Sequence, residues 1–169
     1  MSELTTARAR HVVVMGVSGA GKTTVGMELA RLLEVPFEDA DALHPETNVA
    51  KMAAGTALTD GDREPWLGVV GQHLADSPGG LVMACSALKR IYRDMIRAAA
   101  PDTVFVLLSV PRETLSDRVA NRPGHFMPVT LLDSQLETLE PLGADETGVV
   151  VDSEGGVEAT AERALERLA

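Results

Sequence analysis

Short apolar runs alternate with longer stretches of helical spacing along this chain, and that alternation alone predicts an α/β protein. The runs fall at residues 12–15, 35–37, 81–84, 104–108 and 149–151. Each has the length of a buried strand, and a helix-period segment follows it, the pattern of a parallel sheet covered by helices. Residues 23–33 place Val25, Leu29, Leu32 and Leu33 on one face, with Pro36 closing the helix. Pro45 suits the first position of a helix over 45–54. Asp62 is a candidate cap for a helix over 62–75, in which Trp66, Leu67, Val70 and Leu74 recur at core spacing, so Trp66 is read as packing. Further helices are predicted over 88–100, 112–121, 128–140 and 157–168. The first of these is basic, with Lys89, Arg90, Arg93 and Arg97. Residues 55–61 and 122–128 are the irregular stretches that could move.

The link between the first run and the first helix changes the picture from fold to chemistry. It reads Gly16-Val17-Ser18-Gly19-Ala20-Gly21-Lys22-Thr23-Thr24, a G-x-x-x-x-G-K-[ST] loop leaving a strand and opening a helix. Glycines admit the backbone closely to an anion, converging N–H groups supply donors, and the helix N-terminus adds partial positive charge. Gly16, Ser18, Gly19, Ala20, Gly21, Lys22, Thr23 and Thr24 are therefore the candidate nucleotide-binding residues. Lys22 would reach the β- and γ-phosphates of ATP and Thr23 would ligate Mg²⁺.

Composition narrows the partners. At 169 residues and 45% hydrophobic, the chain suits one domain spanning 1–169. A formal charge of −10 argues against nucleic acid or an anionic membrane, so an anionic substrate needs a locally basic pocket. No apolar stretch nears the roughly 20 residues of a membrane span, no signal-peptide core is evident, and the single Cys85 reads as a buried apolar residue; a cytoplasmic protein is expected. Only Lys22, Lys51 and Lys89 are lysines among 15 Lys and Arg residues.

Neither the third run, which enters Cys85-Ser86, nor the fourth, which enters Ser109, ends in the acid that many P-loop enzymes use for Mg²⁺, and there is no Asn-Lys-x-Asp element for guanine. The acids follow the second run, in Phe37-Glu38-Asp39-Ala40-Asp41. On an extended segment Asp39 and Asp41 would point to one face, Asp39 toward the Mg²⁺ water shell and Asp41 toward an acceptor hydroxyl. His44, Lys51 and Arg63, then Ser86, Lys89 and Arg90, concentrate positive charge where a carboxylate-bearing acceptor could be held. Arg118 and Arg122, four apart before Pro123-Gly124-His125, look like a lid that brings arginine to the transferring phosphoryl and excludes water. A P-loop with an acceptor-side carboxylate outlines a small-molecule kinase.

The chain resembles the gluconokinase family. The motifs that carry the likeness are M-G-V-S-G-A-G-K-T-T, D-A-D-x-L-H-P-E-T-N-V-A-K-M-A-A-G, D-R-E-P-W-L, C-S-A-L-K-R-I-Y-R-D, R-P-G-H-F-M-P and G-A-D-E-T, together spanning about residues 12–151. The resemblance implies a three-layer P-loop NTPase fold with a five-stranded parallel sheet in the order 2-3-1-4-5, a substrate-covering region at about 42–75 and a lid at about 118–128. It implies phosphorylation of D-gluconate on its 6-hydroxyl by ATP with Mg²⁺, in a homodimer. Asp41 would be the acceptor-side carboxylate, and gluconate would be held by some subset of His44, Arg63, Lys89, His125 and Gln135. Ala40 stands where the family often has Gly, and Thr56-Ala57-Leu58 where it often has Pro-Leu. The alternatives are another small-molecule kinase of this fold, such as a shikimate-type enzyme, or a nucleotide-binding module without catalysis.

Overall fold

Strand β1 (His11–Met15) lies at the centre of a sheet whose order is β2-β3-β1-β4-β5. Around it stand β2 (Phe37–Asp39), β3 (Leu81–Ala84), β4 (Val104–Ser109) and β5 (Gly148–Asp152), every neighbouring pair parallel. The computed structural model describes residues 10–121 and 129–168. The helices are α1 (Lys22–Leu33), α2 (Glu46–Ala53), α3 (Asp60–Ala75), α4 (Arg90–Ala99), α5 (Arg112–Ala120), α6 (Val129–Thr138) and α7 (Val157–Arg167). The α/β class is that expected from the alternation of runs, and the order 2-3-1-4-5 is that implied by the family resemblance.

Alternation along the strands builds a core on each face. Val12 and Val14 join Val82, Val106 and Val151 in a layer with Val25 and Leu29 of α1 and Ala161 and Ala164 of α7. Val13 and Met15 join Met83 and Phe105 in the opposite layer, under Leu67, Val70 and Leu74 of α3 and Ile96 of α4. Residues 12–15 are wholly buried because both faces of the central strand are covered, which is why they read as a continuous apolar run. Where α3 crosses α4, a Cβ on Gly71 would lie 2.8 Å from the Ile96 carbonyl oxygen and 2.9 Å from the Ala99 Cβ. Close approach explains a glycine in mid-helix despite its poor propensity.

Several boundaries differ from expectation, Pro45 capping α2 rather than opening it, and three of them have a clear local reason. β2 begins at Phe37, not residue 35, and runs into the acids, since the carbonyl of Pro36 and then residues 37–39 pair with β3. α3 starts two residues early: Thr59 is its cap and Asp62 the third helical residue, the two exchanging side-chain-to-backbone bonds in a capping box. α4 starts at Arg90, with Lys89 as its capping residue. All strands being parallel, β1, β2 and β3 deliver their following loops to one edge of the sheet, where ligands bind in open α/β folds.

Candidate active site

The phosphate loop takes its shape from glycine. Gly19 and Gly21 sit at φ 84° and 92°, the left-handed region that glycine adopts without strain, and Gly21 caps α1 with no side chain over its first amides. Long-range bonds hold the loop: Gly16 N–H donates to the Ser86 carbonyl at 3.3 Å, Ser18 N–H to Gln135 Oε1 at 2.7 Å, and Arg118 Nη1 to the Gly19 carbonyl at 3.0 Å. Lys22 Nζ donates to the Val17 carbonyl at 3.1 Å, folding its ammonium back over the loop. Arg118 thus reaches the phosphate loop itself. Gln135, expected among the acceptor's ligands, stands instead on the phosphate-loop side.

Asp39 and Asp41 come together by a route other than strand alternation. Asp39 ends β2 and its Oδ1 accepts the Asp41 N–H at 2.9 Å, capping a 3₁₀ turn over Ala40–Leu43. Asp41 therefore leaves the extended segment, and the shared-face argument fails for it; the turn carries its carboxyl to the loop instead. Asp39 Oδ2 accepts the Thr23 hydroxyl at 3.4 Å, bringing together the two candidate metal ligands. Asp41 is held above the ordinary carboxylate range by burial first and by the Asp39 charge second, opposed by His44 and Lys22. A carboxyl raised in this way makes a better proton acceptor at neutral pH.

Beyond Asp41 the cations follow in sequence. His44 stacks on Trp66, ring centroids 3.9 Å apart and planes 20° off parallel, while the indole N–H donates to the Ala40 carbonyl at 2.7 Å. Trp66 is packing, as expected, and also the floor on which His44 lies. His44 Nδ1 is 3.2 Å from the amide nitrogen of buried Asn48; accepting there assigns the ring proton to Nε2. Burial lowers the His44 pKa, Asp41 opposes this and Arg63 adds to it, so the imidazole is neutral at physiological pH between a carboxylate and a guanidinium. The Arg63 guanidinium lies 5.4 Å and the Lys89 ammonium 5.6 Å from the Tyr92 ring centroid.

A cavity of about 680 Å³ opens at this edge, lined by Ser18 to Val25, Asp39, Asp41, Cys85, Ser86, Arg118 and Asn121, and at its far end by Ser153, Gly156, Val157 and Thr160. The volume suits a nucleotide-sized ligand. Lys22 and Asp41 thus face one space, the arrangement on which a kinase depends. The far-end residues escaped the sequence reading, although Gly155-Gly156 between β5 and α7 was a signal for a second close backbone approach. The Cys85 thiol, pushed up to about 12 by burial, is inert at the cavity wall. Arg122 and His125, and the stretch 122–128 of the expected lid, lie outside the described residues.

Comparison with known proteins adds identity to this geometry. The family described as Shikimate kinase matches residues 18–168. A gluconokinase of Gluconobacter oxydans (strain 621H) is 47% identical over 150 residues, which cover 87% of this chain and 84% of the relative. The chain belongs to the gluconokinase family. The crystal structure of a gluconokinase from Sinorhizobium meliloti 1021 superimposes with a TM-score of 0.86 at 45% identity, over 96% of this chain and 93% of that one. A shikimate kinase from Bacteroides thetaiotaomicron, at 21% identity and TM-score 0.69 over 94% of this chain and 97% of that one, shares the fold alone.

In this gluconokinase-family chain much of the basic charge of α4 is not free for a substrate. Arg93, wholly buried, donates from Nε and Nη2 to Glu146 at 2.8 and 3.0 Å and to four backbone carbonyls, those of Ala87, Leu88, Glu140 and Pro141. Arg97 Nη1 adds a bond to Glu146 at 2.9 Å, and Arg90 forms a two-pronged pair with Asp145. The late G-A-D-E-T motif is the anionic counterpart of this helix. Lys51, also counted among the acceptor-side cations, is tied to Asp62 at 2.7 Å. Arg63 lies beside His44 and donates to the Leu58 carbonyl at 2.7 Å, and Lys89, at the Tyr92 ring, is paired with Asp60 at 3.2 Å.

Proposed function

We propose that the protein is an ATP-dependent gluconokinase that transfers the γ-phosphoryl group to the 6-hydroxyl of D-gluconate, giving 6-phospho-D-gluconate and ADP. Its family supports the kinase activity and the acceptor. The observation that carries the mechanism is the shared cavity of Lys22 and Asp41, whose pKa is raised, with Arg63 next to His44 and both Arg63 and Lys89 at the Tyr92 ring. The loop amides and Lys22 hold the triphosphate, and Arg118 stands where it can turn from the Gly19 carbonyl to phosphate oxygens. The far end of the cavity takes the nucleoside.

Gluconate lies with its 6-hydroxyl at Asp41 and its carboxylate toward Arg63 and Lys89, His44 bonding an intervening hydroxyl. Asp41 accepts the hydroxyl proton as the oxygen attacks in line; the O–P bond forms while the bond to the ADP oxygen breaks. Thr23 and Asp39, 3.4 Å apart, fit a Mg²⁺ that keeps waters and phosphate oxygens as its other ligands. When bound, the ion neutralises developing phosphoryl charge. Arg122, His125 and the lid, and a cytoplasmic homodimer, belong to the same proposal.

Coupled measurement of ADP release tests the assignment. Gluconate should be preferred over shikimate, nucleoside monophosphates and water by orders of magnitude in kcat/KM. Equal rates with all acceptors would reject the substrate, and no ADP with any of them would reject the kinase.

A further inference from the structure

Asp60 takes no part in the reaction above, yet its carboxylate sits on the donors that a sugar acid's carboxylate would use. Its Oδ1 and Oδ2 accept from Lys89 Nζ at 3.2 and 3.3 Å, and Oδ1 also accepts the Tyr92 hydroxyl at 2.5 Å. Resting on the gluconate assignment, we infer that Asp60 is a resident carboxylate, displaced from Lys89 and Tyr92 by the carboxylate of the acceptor, and that it sets how tightly a sugar acid binds.

Three features support the exchange. First, the Lys89 contacts are longer than the 2.7–2.9 Å usual for a charge-assisted bond and are shared between both oxygens, so the ammonium is loosely held. Second, the Asp60 side chain is 54% exposed and that of Lys89 33%, so Asp60 can swing into water at little cost while Lys89, the more buried of the two, stays beside the Tyr92 ring. Third, the charges balance for one incoming carboxylate. Lys89 and Arg63 are positive, Asp60 and Asp41 are negative, and His44 and Tyr92 are neutral, so the cluster gains room for one incoming carboxylate when Asp60 swings away. With Asp60 in place the cluster is largely satisfied before substrate arrives; the substrate must take over its contacts and tolerate its charge nearby. Removing the Asp60 charge therefore tightens gluconate binding.

The test is the steady-state kinetics of the wild type, Asp60→Asn and Asp60→Glu with gluconate at saturating MgATP. KM should fall about 2- to 5-fold in Asp60→Asn, the size expected for an exposed ion pair, with the change in KM rather than kcat. Asp60→Glu, which restores a carboxylate, should move KM back toward the wild-type value. An unchanged or raised KM in Asp60→Asn overturns the inference, because it makes Asp60 a support for Lys89 rather than its occupant. A wild type that does not turn over gluconate rejects the substrate assignment instead. An independent reading needs no variant: by carbon-13 NMR of the wild-type side-chain carboxyls with a non-hydrolysable ATP analogue, gluconate should shift the Asp60 resonance and raise its pKa. An Asp60 signal indifferent to gluconate also overturns the inference.

Discussion

Glu146 receives four hydrogen bonds within a side chain that is only 1% exposed: from Gly143 N–H at 2.7 Å, from Arg93 Nε and Nη2, and from Arg97 Nη1. Glu146→Gln keeps the volume but removes the charge, and it turns an amide NH₂ toward guanidinium or backbone N–H groups. Arg93 then keeps its four carbonyl acceptors but is left as a buried cation without an anion. Breaking a buried pair from one side costs about 3–5 kcal/mol, a large share of the roughly 5–15 kcal/mol that holds an ordinary domain together. For a chain of this length, Tm should fall by about 6–20 °C. Asp145→Asn, one residue earlier, removes a pair whose carboxylate is 70% exposed and should leave the urea midpoint almost unchanged. Urea titration of both variants is the assay. The Glu146 pKa is lowered from 4.5 to about 2 in the folded state by its Arg93 bond above all, so its contribution is complete above the unfolded value and lost as pH falls toward 2. The gap between wild type and Glu146→Gln should therefore narrow below about pH 4. A loss under about 1 kcal/mol at neutral pH, or a gap independent of pH, would refute the reasoning.

Other expectations concern the reaction and the helix crossing. Asp41→Asn should lower kcat by about 10²–10⁴ with KM for ATP nearly unchanged, whereas Lys22→Ala should raise that KM and lower kcat together; equal effects on nucleotide binding would remove Asp41 from the chemistry. Because Asp41 acts ionised and its pKa is raised, kcat/KM should decline as pH falls through a value above the usual carboxylate range. Asp39→Asn removes one cause of that elevation and should move the acid limb to lower pH, whatever it does to the metal; an unmoved limb assigns the limb to another group. Gly71→Ala forces a methyl against Ile96 and Ala99 and should destabilise by about 1–3 kcal/mol in thermal melts, and a neutral result would mean that α3 and α4 part easily.

What could be read from the chain was whatever a local pattern determines. The phosphate loop is contiguous, so its spacing foretold its left-handed glycines and its place between β1 and α1, and the buried faces of β1 are visible in four successive apolar residues. Asp39 and Asp41 meet, but not through strand alternation, since the bond that Asp39 accepts from the next-but-one amide turns the chain out of the strand. Arg93 and Glu146, 53 residues apart, meet only through the packing of α4 against the segment before β5, so the helix read as substrate-facing charge. Gln135 and Ser18 are separated by 117 residues, and no spacing links them. The far-end cavity residues are small or neutral and carry no chemical signature outside the fold.

The stacked pair of His44 and Trp66 gives the protein an optical handle of its own. Trp66 is the sole tryptophan, so fluorescence excited selectively in the indole comes from a single address, pressed against the imidazole that lies between Asp41 and Arg63. Any event that tilts, protonates or displaces that imidazole alters quenching of the emission, so acceptor arrival could be followed by stopped flow in the unlabelled, unmutated enzyme.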